Sequence, residues 1–366
     1  MLFRALVGDS RVWYNVIMKT IISKVKKEQP EKKIIEQAGS ILRAGGLVAF
    51  PTETVYGLGA DALNERAAEK IYAAKGRPSD NPLIIHITNM DALEKIVSGI
   101  PGEARIIAEK YWPGPLTMIF NKSDAVPYGT TGGLDTVAVR MPSDSIARAV
   151  IDAGGGYIAA PSANTSGRPS PTSAEHVRED LDGKIDMIVD GGTVDIGVES
   201  TILDLTVKPP MILRPGAVTQ EMLEELLGEV SVDSALISEN SKKPPKAPGM
   251  KYRHYAPKAA LTVVEGDESS VVEAINRLAA GHMADGKRVG IIGTQETVER
   301  YHCGAVKCIG TRQDEATVAN HLYGILREFD NENVDLIFSE SFPEGGIGNA
   351  IMNRLLKAAG HSIIKV

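Results

Sequence analysis

Short apolar runs alternate with helical periodicity from Glu31 to Gly228, and the alternation resumes at Leu261 and continues to the last residues. That rhythm constrains the chain more than any single motif, because strands alternating with helices fold as layered α/β domains. In the first part, 47–50, 83–87, 116–120, 137–139 and 202–203 read as strands, and 31–44, 64–75, 103–111, 143–153 and 218–227 as helices. The apolar runs suit a twisted open sheet mostly covered on both faces. In the second part, strands are expected at 261–264, 289–292, 305–309, 334–338 and 362–364, with helices near 268–281, 313–329 and 348–359. This is the pattern of a smaller, Rossmann-like α/β domain.

The two parts are separated by a change of composition. Residues 241–258 hold Lys242, Lys243, Lys246, Lys251, Arg253 and Lys258, no acidic residue and four prolines. Proline stiffens such a stretch and like charges extend it, so it reads as a linker joining the domains. It is a solvated spacer or a basic strap lying across an anion site. The expected division is an N-terminal extension (1–29), an α/β domain (30–230), a Pro/Lys-rich basic linker (231–259) and a C-terminal domain (260–366). Met18-Lys19-Thr20 reads as a second start, which would make the first 17 residues a loosely tied extension.

The net charge of −7 argues against a nucleic-acid binder that uses its whole surface, so any anionic ligand must be held by a local cluster. No run approaches the ~20 apolar residues of a membrane span. Cys303 and Cys308 do not make a disulfide framework, and a reducing cytoplasm fits.

The densest polar run, Pro51-Thr52-Glu53-Thr54-Val55-Tyr56-Gly57-Leu58-Gly59, follows the strand at 47–50. It is a ligand-contacting loop or a simple strand-to-helix turn. Gly57 to Ala62 matches a loose G-x-G-x-x-A, but the next strand ends in His86-Ile87 rather than in an acid that would hold a ribose. No G-x-x-x-x-G-K-[ST] is present. Lys75-Gly76-Arg77-Pro78 terminates a helix, which explains Lys75 and leaves Arg77 and the polar residues to Asn81 for a polyphosphate. Thr136 and Arg140 share one strand face, and the arginine needs an anionic partner, from the protein or from a ligand. His86 is a core histidine unless its face lines a crevice. Ala160-Pro161-Ser162-Ala163-Asn164 through Ser170 offers hydroxyls, an amide and exposed N–H groups, as a phosphate loop or a surface loop would. Ser200 starts a strand and Arg214 ends one. No His/Cys/carboxylate metal cluster stands out.

Together these segments resemble the YrdC-type domain in its usual order, with Trp112-Pro113-Gly114-Pro115-Leu116-Thr117 and Glu199-Ser200-Thr201-Ile202 among them. Pro248-Gly249-Met250-Lys251-Tyr252-Arg253-His254-Tyr255-Ala256-Pro257 and Gly348-Asn349-Ala350-Ile351-Met352-Asn353-Arg354 resemble the linker and C-terminal domain of the two-domain threonylcarbamoyl-AMP synthases. The resemblance covers about 30–366. It implies a nucleotidyltransferase that joins L-threonine, bicarbonate and ATP and releases pyrophosphate, for threonylcarbamoyladenosine modification of tRNA. It implies that Thr54, His86, Arg140, Ala160 and Ser200 hold threonine. Lys75, Arg77, Asn81, Thr136, Ser162, Asn164, Ser170 and Arg214 would hold ATP, with Tyr255 closing over it. Lys75, Arg77, Ser162 and Asn164 would carry catalysis. Mg2+ is expected through the ATP phosphates rather than on protein side chains. Expected partners are the downstream tRNA threonylcarbamoyl transferase machinery and, weakly, RNA.

Two other readings compete. A non-catalytic RNA-binding module of the same type is opposed by the net charge and the scarcity of aromatics for stacking. A nicotinamide-dependent enzyme is opposed by Gly293-Thr294-Gln295, which is no glycine fingerprint.

Overall fold

The computed structural model describes residues 19–233 and 254–366, together with two short strands nearer the N-terminus. Met18, Lys242, Lys243, Lys246, Lys251 and Arg253 lie outside the described residues. The elements begin with β1 (Leu2–Arg4), β2 (Trp13–Asn15), β3 (Ile21–Lys24), α1 (Lys32–Arg43), β4 (Val48–Phe50), β5 (Gly57–Asp61) and α2 (Glu65–Lys75). There follow β6 (Ile84–His86), α3 (Met90–Ile96), α4 (Gly102–Tyr111), β7 (Leu116–Asn121), α5 (Tyr128–Thr131), β8 (Thr136–Arg140) and α6 (Ser145–Ala153). The first domain ends with β9 (Ile158–Ala159), α7 (Ala174–Leu181), β10 (Met187–Asp190), β11 (Thr201–Asp204), β12 (Met211–Arg214), α8 (Gln220–Leu227) and β13 (Ser231–Val232). Strands β1 and β2 pair only with each other, and β3 to β13 form one mixed sheet in the order β13-β12-β11-β7-β8-β6-β9-β5-β4-β10-β3.

The second domain comprises β14 (Ala260–Glu265), α9 (Glu268–Ala284), β15 (Val289–Gly293), β16 (Ala305–Cys308), α10 (Glu315–Glu332), β17 (Leu336–Glu340), α11 (Gly348–Ala358) and β18 (Ile363–Lys365). Its five strands are all parallel, in the order β16-β15-β17-β14-β18. This is the doubly wound architecture expected from the alternation. No helix among the described residues is long and apolar enough to cross a membrane.

Three expectations change. The segment 1–29 contributes β3, which pairs in parallel with β10 at the sheet edge. Its apolar residues Ile21 and Ile22 stay 41% and 46% exposed, so no buried run marks the strand in the sequence. Likewise β13, inside the expected linker, pairs with β12. Finally, the glycine-rich Gly57–Asp61 is a strand antiparallel to β4 and neither a turn nor a helix opening. Gly59 is required by packing: a Cβ there would lie 2.7 Å from the Phe50 ring and 2.9 Å from Ile158 Cγ2. Gly59→Ala is therefore expected to cost about 1–3 kcal/mol of stability, measurable by urea denaturation.

The sheet is covered unequally. One face, with Ala49, Leu58, Ile85 and Val139, belongs to the largest core cluster together with α2, α3 and α4. On the other face, α1 and α6 bury Val48, Phe50 and Ile158. Beyond β9 that face carries Ile84, Ala138, Ile119, Ile202 and Leu213, a cluster containing no helical residue. Helical covering on this face thus stops at β6, whose Ile84 lines a cleft.

Candidate active site

Strand register builds the floor. Arg214 pairs with Ile202, Ile202 with Thr117, Thr117 with Arg140 and Arg140 with His86, so one row crosses five strands. Side chains in such a row share a face. The two polar loops stand over it and are zipped together by backbone hydrogen bonds. Tyr56 N donates to Pro171 O, Leu58 N to Pro161 O and Ala163 N to Tyr56 O. The resulting cleft is lined by Thr54, Lys75, Arg77, His86, Arg140, Ala160, Ser162, Asn164, Ser170, Ser200, Arg214 and Tyr255.

Two expected residues stand apart. Thr136 starts the strand that Arg140 ends, about 13 Å away at strand rise, and does not border the cleft. Of the two residues on that strand face, Arg140 alone is among those that line the cleft. Asn81 also lies off the cleft wall, but its backbone oxygen receives Arg77 Nε at 3.2 Å. Its side-chain oxygen is buried without a hydrogen-bond partner.

At one end, Arg140 is 4% exposed and paired with Glu53 at 2.8 Å. It also donates to Thr54 Oγ1 at 2.8 Å and to Gly114 O at 3.4 Å. The anionic partner sought from the sequence thus exists within the protein. Burial pushes the Glu53 carboxyl up, but the Arg140 cation outweighs it and holds the carboxyl below its usual range. His86 Nδ1 lies 3.1 Å from Ile84 O, and its pKa is pushed down to about 3 by burial and then by Arg140. It is a neutral imidazole at physiological pH.

At the other end, Lys75 Nζ donates to Ser162 O and Asn164 O, each at 2.5 Å. Gly76, at φ 61°, caps the helix behind it. The lysine therefore clips the 159–171 loop to α2 as well as ending the helix. Burial first, and the neighbouring Arg77 next, hold its pKa well below the usual lysine value. Arg77 donates to Asn81 O and Pro82 O, and burial lowers its pKa to about 10. Ser162 Oγ donates to Asn164 Oδ1 at 2.5 Å, and the Asn164 amide donates to Thr165 O and Arg168 O, so this loop is internally fixed. Arg214 Nε donates to Ser200 O at 3.1 Å, and Ser200 Oγ lies 2.8 Å from Thr117 Oγ1.

The last described part of the linker closes one side. Tyr255 is 5% exposed, with φ 65°, and its ring lies 5.2 Å from that of Tyr323. Ala256 N donates to Gly167 O, tying the linker to the polar loop. His254 is buried beside it, with Nε2 lacking a hydrogen-bond partner.

Several contributors were not singled out in the sequence: Glu53, Glu199, His254 and, from the C-terminal domain, Tyr323, Arg327 and Arg354. Glu53 and Glu199 were visible as lone acids within polar runs. Arg354 stands in the Gly348–Arg354 run that carries the resemblance but has no role assigned there, whereas Tyr323 and Arg327 gave no signal, since their partners lie more than a hundred positions away. Among the described residues no group of three or more His, Cys, Asp or Glu could hold a metal. Of the carboxylates beside the cleft, Glu53 is committed to Arg140 and Glu199 to Arg354.

Comparison with known proteins shows the family of the chain. Residues 40–216 match the Sua5/YciO/YrdC family, described as telomere recombination, and residues 218–360 match the C-terminal domain of threonylcarbamoyl-AMP synthase. The threonylcarbamoyl-AMP synthase of Pyrococcus abyssi is 51% identical over 347 residues, 95% of this chain and 100% of that one. Its Bacillus subtilis counterpart is also 51% identical, over 90% of this chain and 94% of its own length. The crystal structure of P. abyssi Sua5 complexed with L-threonine superimposes with a TM-score of 0.90 at 49% identity, covering 95% of this chain and 100% of that chain.

Proposed function

The chain belongs to the threonylcarbamoyl-AMP synthase family, and from that premise we propose that its cleft joins L-threonine, bicarbonate and ATP into L-threonylcarbamoyl-AMP and pyrophosphate, for tRNA modification. The carrying observation is that one cleft has two chemically distinct ends: Arg140, His86 and Thr54 at one, Lys75, Arg77 and Arg214 at the other.

Threonine occupies the first end, its carboxylate facing Arg140, with Thr54, neutral His86, Ser200 and the Ala160 backbone around it. Because Glu53 already neutralises Arg140, recognition there rests on directed hydrogen bonds more than on bare charge. ATP occupies the second end, against Lys75, Arg77, Ser162, Asn164, Ser170 and Arg214, with Asn81 supporting Arg77. Tyr255 closes over the nucleotide. Thr136 is left out of this assignment.

The amine of threonine and bicarbonate give an N-carboxylate with loss of water. A carboxylate oxygen attacks the α-phosphorus and pyrophosphate leaves. Nucleophile and electrophile are both anionic, so the cations of the second end offset their repulsion and the charge that grows on the leaving group. Enclosure of the cleft, whose wall includes buried His254 and Tyr255, keeps water from the labile N-carboxylate. Mg2+ would enter as a companion of the ATP phosphates and shield their charge, since no group of three or more possible protein ligands stands among the described residues.

The test is pyrophosphate release from ATP. It is expected to depend on both threonine and bicarbonate, with threonylcarbamoyl-AMP detected by mass spectrometry. Release that ignores threonine, or none at all, overturns the reading.

A further inference from the structure

We propose that Arg354, on α11 of the C-terminal domain, is a positioning residue for the nucleotide end of the cleft. The inference rests on the assignment of that end to ATP given above. Arg354 is fully buried, and its guanidinium points three ways at once. Nε donates to Glu199 Oε2 at 3.0 Å, Nη2 to Glu199 O at 3.3 Å and Nη1 to Pro215 O at 2.5 Å. Glu199 immediately precedes Ser200 and Pro215 immediately follows Arg214, so one side chain clamps the two strand ends that carry these cleft residues. The carboxylate it holds also receives the Ser170 hydroxyl at 2.5 Å and the Tyr323 hydroxyl at 2.9 Å. Arg354 thereby fixes Ser170, Ser200 and Arg214 relative to one another without touching the nucleotide.

The surrounding interface leaves the clamp little freedom. Val55, Val198 and Tyr255 share one hydrophobic cluster with Leu322 and Tyr323 of α10. Gly197, at φ 88°, lets α10 approach so closely that a Cβ there would lie 2.4 Å from Asn320 Cα. A lysine at 354 would keep a cation beside Glu199 but could not reach three acceptors along fixed directions. The charge balance of the buried site survives Arg354→Lys, while the geometry does not.

The clamp touches the threonine end only through Ser200, whose hydroxyl has a second anchor in Thr117 at 2.8 Å. Full-length wild type, R354K, Y323F and N320A are titrated with a non-hydrolysable ATP analogue and, separately, with L-threonine. R354K is expected to weaken analogue binding at least tenfold while threonine affinity moves less than threefold. Y323F keeps the ring, loses the hydroxyl on Glu199 and is expected to weaken the analogue about threefold, which serves as the readout should R354K fail to fold. N320A cuts hydrogen bonds to Val194 O and Asp195 O at the same interface, away from the nucleotide end, and is expected to change neither affinity. Wild-type analogue affinity in a folded R354K, or in Y323F where R354K does not fold, overturns the inference. An equal loss in N320A also overturns it, because a loosened interface would then account for the effect. A wild-type protein that binds no ATP analogue sinks the enzymatic reading itself, and is thereby distinguished from failure of the clamp alone.

Discussion

Arg140→Ala is expected to abolish measurable threonine-dependent pyrophosphate release and to destabilise the protein by about 3–5 kcal/mol, the usual result of removing one partner of a buried ion pair. The two losses share a cause. Glu53 is 4% exposed, and Arg140 is the cation that holds its carboxyl below the usual range against burial. Without Arg140 the carboxylate must either remain charged in a dry site or take up a proton. Stability and binding can be separated by pairing the change with Glu53→Gln. The double variant removes the stranded charge and should recover much of the stability, read by urea denaturation, without recovering threonine affinity, read by calorimetric titration. Threonine binding that returns with Glu53→Gln would mean that Arg140 serves only to neutralise Glu53, and the threonine assignment at this end would fail.

Most long elements were legible because their apolar periodicity coincides with their burial. The strands at 116–121 and 289–293 and the helices 32–43 and 315–332 fall within a few residues of where the pattern puts them. What escaped has a different physical origin. Gly57–Asp61 lacks a strand's bulky residues because Phe50 and Ile158 fill the space where a Cβ would stand, so packing overrode propensity. Ile21–Lys24 exposes its apolar residues at an edge and carries no burial signal. Arg140 and His86 could be proposed as site residues from one strand each, yet only the register across β6, β8 and β7 sets them in a row with Thr117. Thr136 shows the limit of that reasoning: period two fixes the face but not which end of the strand meets the cleft. The links between Glu199 and Arg354 and between Asp180 and Arg327 join residues from separate domains, and no local pattern encodes such pairs.

Arg327→Met is expected to produce the largest loss at the domain interface, about 3 kcal/mol. Arg327 is 1% exposed on α10 and reaches back into the first domain. Its Nη2 donates to Asp180 Oδ2 at 2.9 Å and to Pro169 O at 2.6 Å, and its Nη1 lies 3.3 Å from Glu179 Oε2. Asp180 keeps Arg168 as a second cation and Thr165 N as a donor, which places the cost at the low end for a broken buried pair. The shared apolar cluster across the interface makes one cooperative unfolding transition the expected form of the denaturation curve. Because Pro169 directly precedes Ser170, the same change should slacken the loop that carries Ser162 and Asn164, so ATP use should suffer more than threonine binding. A double-mutant cycle with Asp180→Asn isolates the pair: a coupling energy near 2 kcal/mol is expected for a buried contact of this kind. A coupling below about 0.5 kcal/mol would show that Arg168 and water take over the role of Arg327. The C-terminal domain would then owe its attachment to the apolar cluster alone, and the charged contacts would serve to orient the site without holding the domains together.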